Sequence, residues 1–195
     1  MKHSILSDQN FSSSFVSCEK DLESILKKIF VSSYPYSDYL KRLLVINTKD
    51  CLDLDNFEYQ RAIDAKSIAD LKKEGYFKIE PKIEFGEHEE VKSRLLIEFT
   101  SFTPNTTNPE YRDCVVDITI LCHTDYWDLG DYKLRPIKIM GYIDGILNKS
   151  KLSGIGTLQF LGANEVVLDE DLSGYLLRYA AIHGSDDQET LERSL

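Results

Sequence analysis

The feature of this sequence that most restricts its fold is a pair of alternating segments separated by a loop. Between Arg94 and Phe102, the residues Leu95, Ile97 and Phe99 fall on one side, and Arg94, Glu98 and Thr100 on the other. Between Cys114 and Cys122, Cys114, Val116, Ile118, Ile120 and Cys122 fall on one face, against Asp117, Thr119 and then His123 on the other. A repeat of two is that of a β-strand with one buried face. The connecting stretch 101–113 carries Pro104 and Pro109, which interrupt regular structure. An antiparallel pair is therefore expected, and its apolar face must be covered by another layer.

Helical spacing supplies that layer. From Glu19 to Phe30, Leu22, Ile25, Leu26, Ile29 and Phe30 recur at three and four, with Glu19 and Asp21 at the end where the helix dipole favours negative charge. After Pro35 a shorter helix is expected, with Ser37 as its N-cap and Leu40, Leu43 and Leu44 as its apolar positions. The segment 51–59 is ambiguous, its aromatic and acidic residues being suited to docking a loop on the core or on a neighbour. A third helix is expected over 63–74, ended by Gly75. The fourth begins at Arg135-Pro136, proline being well placed where its missing N–H would go unbonded, and runs to about Asn148. Its stripe is Ile139, Met140, Ile143, Ile146 and Leu147, while Gly141 and Gly145 would let another backbone approach closely.

Further alternating stretches lie at 76–85, where Pro81 marks an edge or an end, at 157–161, with an apolar patch at 166–168 beyond it, and at 174–183. The order predicts an α+β fold: an antiparallel or mixed sheet with helices packed on one face. Residues 18–183 are expected to form one domain, preceded by an arm at 1–17, ordered or mobile, and followed by a flexible acidic tail at 184–195.

A chain of 195 residues is long enough to close one core. Its 23 Lys and Arg against 33 Asp and Glu give a net charge of −10, without a basic cluster, so a phosphate backbone is repelled and no specific nucleic-acid binding is expected. No run approaches the roughly 18 apolar residues of a membrane-crossing helix, and no membrane partner is expected. Cys18, Cys51, Cys114 and Cys122 are far apart, form no CxxC pair and accompany no export signal, so reduced thiols are expected.

The motifs of phosphate-binding loops, nucleophile elbows and zinc proteases are missing from the sequence, so no cofactor and no enzymatic activity are expected. The stretch most like a site is 122–131, where His123, Asp125, Asp128 and Asp131 follow a strand. Imidazole and carboxylates can hold a divalent metal, so a metal-dependent hydrolase or nuclease using His123, Asp125 and Asp128 is the alternative to be weighed. The spacing lacks the calcium-loop pattern, and a polar strand end anchored by Tyr126 and Trp127 explains the same residues. Asp64 or Glu80 with Lys82 has the E-x-K spacing of a nuclease half-site, but Pro81 weakens the strand that would aim it. Cys122 and His123, as successive strand residues, point to opposite faces. Eleven tyrosines enrich the chain in rings that tolerate being half wet, as interface residues must. Tyr36, Tyr39, Tyr111, Tyr126, Trp127, Tyr132 and Arg135 are the candidate contact residues.

The segments VDITILCHTDYWDLGDYKLRPIKIMGYIDGIL and GIGTLQFLGANEVVLDEDLSGYLLRYAAIH resemble the neck proteins of tailed bacteriophages, in particular tail-terminator or tail-completion subunits. The resemblance rests on a half-buried strand ending near His123, the Arg135-Pro136 helix, and a glycine-containing turn before a closing strand that ends near His183. It spans about residues 93–183 and leaves the first 60 residues and the tail unaccounted for. It implies a small α+β virion subunit without catalysis, assembled in the host cytoplasm into a ring, usually a hexamer, with tail-tube and head-connector proteins as partners. A non-viral scaffold domain is the remaining alternative.

Overall fold

The computed structural model describes residues 15, 18–53, 57–79, 92–107 and 111–183. The expected arm at 1–17, apart from Phe15, and the expected tail at 184–195 lie outside them. The fold is α+β. Helices α1 (Cys18–Phe30), α2 (Tyr36–Val45), α3 (Phe57–Asp64) and α4 (Ile68–Lys73) come first. Strands β1 (Phe77–Lys78), β2 (Arg94–Pro104) and β3 (Arg112–His123) follow, then α5 (Arg135–Leu147), and finally β4 (Lys151–Leu152), β5 (Gly156–Thr157), β6 (Gln159–Val167) and β7 (Leu172–His183).

The main sheet has the order β1-β2-β3-β7-β6, and β4 and β5 pair separately. It is mixed, because β1 runs parallel to β2 and the other neighbours are antiparallel. The expected pairing of the two central strands holds, with Leu95 opposite Ile120 and Ile97 opposite Ile118. On the next strand Leu177 lies opposite Ile118, Tyr179 opposite Val116 and Ala181 opposite Cys114. These residues make one buried face, and α1, α2 and α5 supply Ile25, Ile29, Phe30, Leu40, Leu43, Leu44, Ile139 and Ile143 to the same core.

Local departures from the expected elements have local causes. Helix α2 starts one residue after Pro35, which occupies the cap position without a side-chain bond. Ser37 is not its N-cap: the residue is buried inside the first turn, and its hydroxyl accepts the Ser33 N–H at 3.1 Å. The single helix expected over 63–74 is two, α3 and α4. Ser67 restarts the chain with a capping box, its hydroxyl accepting the Asp70 N–H and the Asp70 carboxylate accepting the Ser67 N–H, each at 3.1 Å. Gly75 then takes φ 79, the left-handed turn that suits glycine. Of the strand expected over 76–85 only Phe77–Lys78 pairs among the described residues; Glu80, Pro81 and Lys82 lie outside them. The short stretches expected at 157–161 and 166–168 belong largely to one strand, β6, kept continuous through an irregularity between Phe160 and Gly162.

Candidate interaction surface

Arg135 organises the region from which this surface is built. Its guanidinium is completely buried and donates to four main-chain carbonyls: Leu43 O at 2.6 Å, Ile46 O at 2.8 Å, Thr48 O at 2.7 Å and Tyr126 O at 2.8 Å. The first three belong to the end of α2 and the turn after it, where helix carbonyls have no intrahelical partner and the dipole favours a cation. The fourth belongs to the loop after β3. One side chain thus fastens α2, that loop and the start of α5 together. Arg135, expected at a subunit contact, is therefore a core residue. A guanidinium with several donors can satisfy carbonyls from separate segments, which makes it a better tie inside a fold than a surface charge.

The loop held this way runs from Thr124 to Leu134. Trp127 donates its ring N–H to Cys122 O at 3.2 Å, which folds the loop back on the strand end. Leu129 and Lys133 close a tight turn, Leu129 N–H donating to Lys133 O and Lys133 N–H to Gly130 O. Within it Gly130, Asp131 and Tyr132 have φ 80, 49 and 62. For a tyrosine this left-handed region is uncommon and costs of order 1–3 kcal/mol. The result is a ring in full contact with solvent, Tyr132 being 107% exposed.

Beside Tyr132, the outer side of α5 and the start of α2 form a groove of about 600 Å³. It is lined by Tyr36, Leu134, Ile137 and Tyr142, by the two glycines Gly141 and Gly145, and by Lys133 and Lys138. A Cβ on either glycine would meet nothing within 4 Å, so the described part of the chain makes no use of their smallness. Each nonetheless costs about 1 kcal/mol of helix stability relative to alanine. Tyr142 is fixed by Tyr36 and Tyr39, each with ring centroids 5.9 Å away, and by the Lys138 ammonium 5.6 Å from its centroid. Burial, and then neighbouring Tyr39, raise the pKa of its hydroxyl. Ile137 and Leu134 remain 43% and 37% exposed.

The structure brings together only some of the candidate residues. Tyr36 and Tyr132 line the groove, and Tyr39 supports it through Tyr142. Tyr126 packs on His123, with centroids 5.9 Å apart, and Trp127 sits against the core. Tyr111 is at the other end of β3, where its carbonyl accepts the Asn105 N–H. Ile137, Lys138 and Tyr142 were not singled out as contact residues. The available signal was that α5 holds three charged residues in thirteen and carries apolar side chains outside its buried stripe.

The metal-site candidates are only partly assembled. His123 Nδ1 accepts the Asp125 N–H at 3.2 Å and lies 3.6 Å from that carboxylate, while Nε2 is 4.0 Å from Asp171. Asp128 is engaged elsewhere, pairing with Lys49 and accepting the Gly130 N–H at 2.8 Å. Among the described residues no three His, Cys, Asp or Glu side chains are arranged to hold a metal ion. Asp64 forms a two-pronged pair with Arg42. The four cysteines are free thiols in this structure, three of them buried. Among the described residues no helix is long and apolar enough to cross a membrane.

Most of this fold, from α2 to the closing strand but without α1, is matched by a known family: the YomW family model aligns with residues 37–181. The chain belongs to the YomW family. That family is of the SPbeta phage and prophage type found in Bacillus, which makes this a phage-associated protein. A comparison with curated proteins found no match. The phage part of the resemblance read from residues 93–183 thus stands, and membership of YomW extends it back into α2.

Proposed function

We propose that this YomW protein is a structural subunit of the phage particle that acts at the head–tail junction as a tail terminator. In this reading the protein forms a homo-oligomeric ring, with six copies as the resemblance implies, and contacts tail-tube and head-connector proteins in the virion. It performs no catalysis and needs no cofactor. The observation that carries the reading is the α5 groove. Two glycines on an outward helix face have no neighbour close to their missing side chains among the described residues, and an aromatic beside them is held out at an unfavourable φ. Both are accounted for if another chain fills the groove, since small residues admit a close backbone approach and half-wet tyrosines suit contacts between proteins. A ring needs two different patches that fit head to tail, so the groove would meet another surface of the next copy. The net charge of −10 supports a bore that does not hold passing DNA.

The test is assembly. Purified full-length protein, alone and mixed with tail-tube protein, is examined by native mass spectrometry and negative-stain microscopy, beside Ile137→Glu and Gly141→Leu. Rings in the parent protein that both substitutions remove, with the fold kept by circular dichroism, support the reading. A chain that stays monomeric and binds neither tube nor connector protein refutes it.

A further inference from the structure

Two lysines line a groove that is otherwise apolar and aromatic, in a chain whose net charge is −10. Among the described residues, no carboxylate lines this groove. Lys133 comes within 3.9 Å of the Asp131 carboxylate, but that carboxylate is 92% exposed, and so exposed a pair is weak. Lys138 lies over the Tyr142 ring, 5.6 Å from its centroid, a contact that places no anion against its charge. The occupant that matches these features is a segment carrying apolar side chains and carboxylates together.

The sequence carries such a segment directly after the closing strand. Residues 184–195, GSDDQETLERSL, hold Asp186, Asp187, Glu189 and Glu192 against Arg193. Ser185 followed by Gln188 has the order of a capping box, and Asp186 and Asp187 come where the dipole of the helix it would start favours negative charge. Leu191 and Leu195 are four apart and would share one face of that helix. Gly141 and Gly145 have the same spacing on α5, so the leucines match the strip that the glycines leave open. The opposite terminal segment does not fit, because residues 1–17 hold Lys2 and Asp8 as their only Lys, Arg, Asp or Glu.

We propose that the α5 groove of one copy takes up residues 184–195 of a second copy, docked as an amphipathic helix; this rests on the reading of the groove as a contact between chains. With the docked helix running in the same direction as α5, Leu191 and Leu195 meet Gly141 and Gly145, and Asp187 comes level with Ile137 and Lys138. Leucines then fill the apolar strip and the acidic first turn meets the lysines, the pattern of a helix laid in a groove. The groove of the same copy is out of reach. Strand β7 ends with His183 opposite Arg112, at the end of β3 away from His123. The start of α5 belongs to the His123 end, since Arg135 N–H donates to Trp127 O and the Trp127 ring N–H to Cys122 O. The 12 residues of β3 separate these ends by about 36 Å. Within one copy Asp186 would have to begin beside the first turns of α5, and Gly184 and Ser185 span only about 7 Å. Exchange between copies removes that limit and is a head-to-tail contact, as a ring requires.

The experiment is disulfide trapping between two full-length variants, both carrying Cys18→Ser, since Cys18 is the one cysteine that is not buried. Protein with Gly141→Cys is mixed with protein with Leu191→Cys and mildly oxidised, beside a control in which Glu165→Cys on β6 replaces Gly141→Cys. The expected result is a covalent pair of unlike chains, at least tenfold more abundant for Gly141→Cys than for the control. Adding Lys133→Glu and Lys138→Glu to the groove copy should lower the yield about tenfold, and adding Asp186→Lys and Asp187→Lys to the other copy should restore it, with circular dichroism unchanged throughout. Equal yields at positions 141 and 165, or no recovery on the charge swap, overturns the proposal. So does a disulfide closed within one chain when Gly141→Cys and Leu191→Cys are placed together. If trapping fails while Ile137→Glu still removes rings, another occupant fills the groove and the ring reading stands. If trapping succeeds and no ring forms, the docked segment is right and the terminator reading falls.

Discussion

Replacing Arg135 by methionine keeps most of the side-chain volume and removes all of its donors. Four main-chain carbonyls lose a buried partner, three of them at the end of α2. Hydrogen bonds from a charged donor contribute about 1.5–3 kcal/mol each, which would total about 6–12 kcal/mol if the losses were independent. They are not independent: the variant no longer bears the cost of burying a guanidinium, and water can reach the carbonyls of Thr48 and Tyr126 once the loop relaxes. Breaking a buried charged cluster of this kind typically destabilises by about 3–5 kcal/mol. At about 2–4 °C per kcal/mol for a domain of this size, Tm should fall by about 6–20 °C. Arg135→Lys should recover only about half of the loss, because an ammonium is a single point and cannot reach carbonyls on two segments at once. The assay is urea unfolding followed by circular dichroism, with the m-value checked for constancy. Arg135→Met within about 1 kcal/mol of the parent, or Arg135→Lys indistinguishable from it, would refute the tie.

Other outcomes follow from particular contacts. The Cys122 thiol is pushed from 9.0 up to about 11 by burial, and Cys51 and Cys114 are also buried. In native protein at pH 8 only Cys18 should react promptly with a thiol reagent, and all four after unfolding. The same raised thiol contributes stability that is complete below the ordinary thiol range and is lost as pH climbs through about 11, while the Tyr179 hydroxyl, raised by burial and then by Asp144, adds a contribution that is complete below the ordinary phenol range and lost above it. Denaturation midpoints should therefore fall over that window. Glu98 is raised by burial and then by the charge of Asp117 opposite it, so its contribution is complete below the ordinary carboxylate range and lost as pH rises through the raised value. Glu98→Gln should match the parent in acid and exceed it at neutral pH. Gly154 has φ +84, and a Cβ there would lie 2.0 Å from Asp21 Oδ1, so Gly154→Ala should cost about 2 kcal/mol or more. Gly141→Ala should instead stabilise the isolated subunit by about 0.5–1 kcal/mol while weakening assembly.

The parts of the fold legible in the sequence were those whose buried face repeats cleanly: α1, α5, β2, β3 and β7. Elements set by a single turn or cap were less so. Ser37 looked like a cap but was drawn into the first turn of α2 once Pro35 took the position before it. The Ser67-Asp70 box divided a stretch whose apolar spacing alone reads as one helix. Strand β6 was fragmentary in the sequence because both of its faces are exposed, so it lacks the alternation that burial imposes. Of the contact residues, Tyr36 and Tyr132 were legible as aromatics on long connections. Arg135 was misplaced because the sequence gives no sign that three carbonyls of another helix end would surround it. The groove itself depends on α5 showing Ile137, Gly141 and Gly145 away from the core, a property of where the helix is laid on the sheet.

The central claim is that the α5 groove is where this phage protein binds another chain. It is tested most directly by native mass spectrometry of the full-length protein with tail-tube protein, comparing the parent with Ile137→Glu. The account predicts a ring-sized assembly, six copies for a terminator, that the substitution reduces to smaller species without loss of fold. A parent protein that remains monomeric and unbound, or an assembly that Ile137→Glu and Gly141→Leu leave intact, would contradict it.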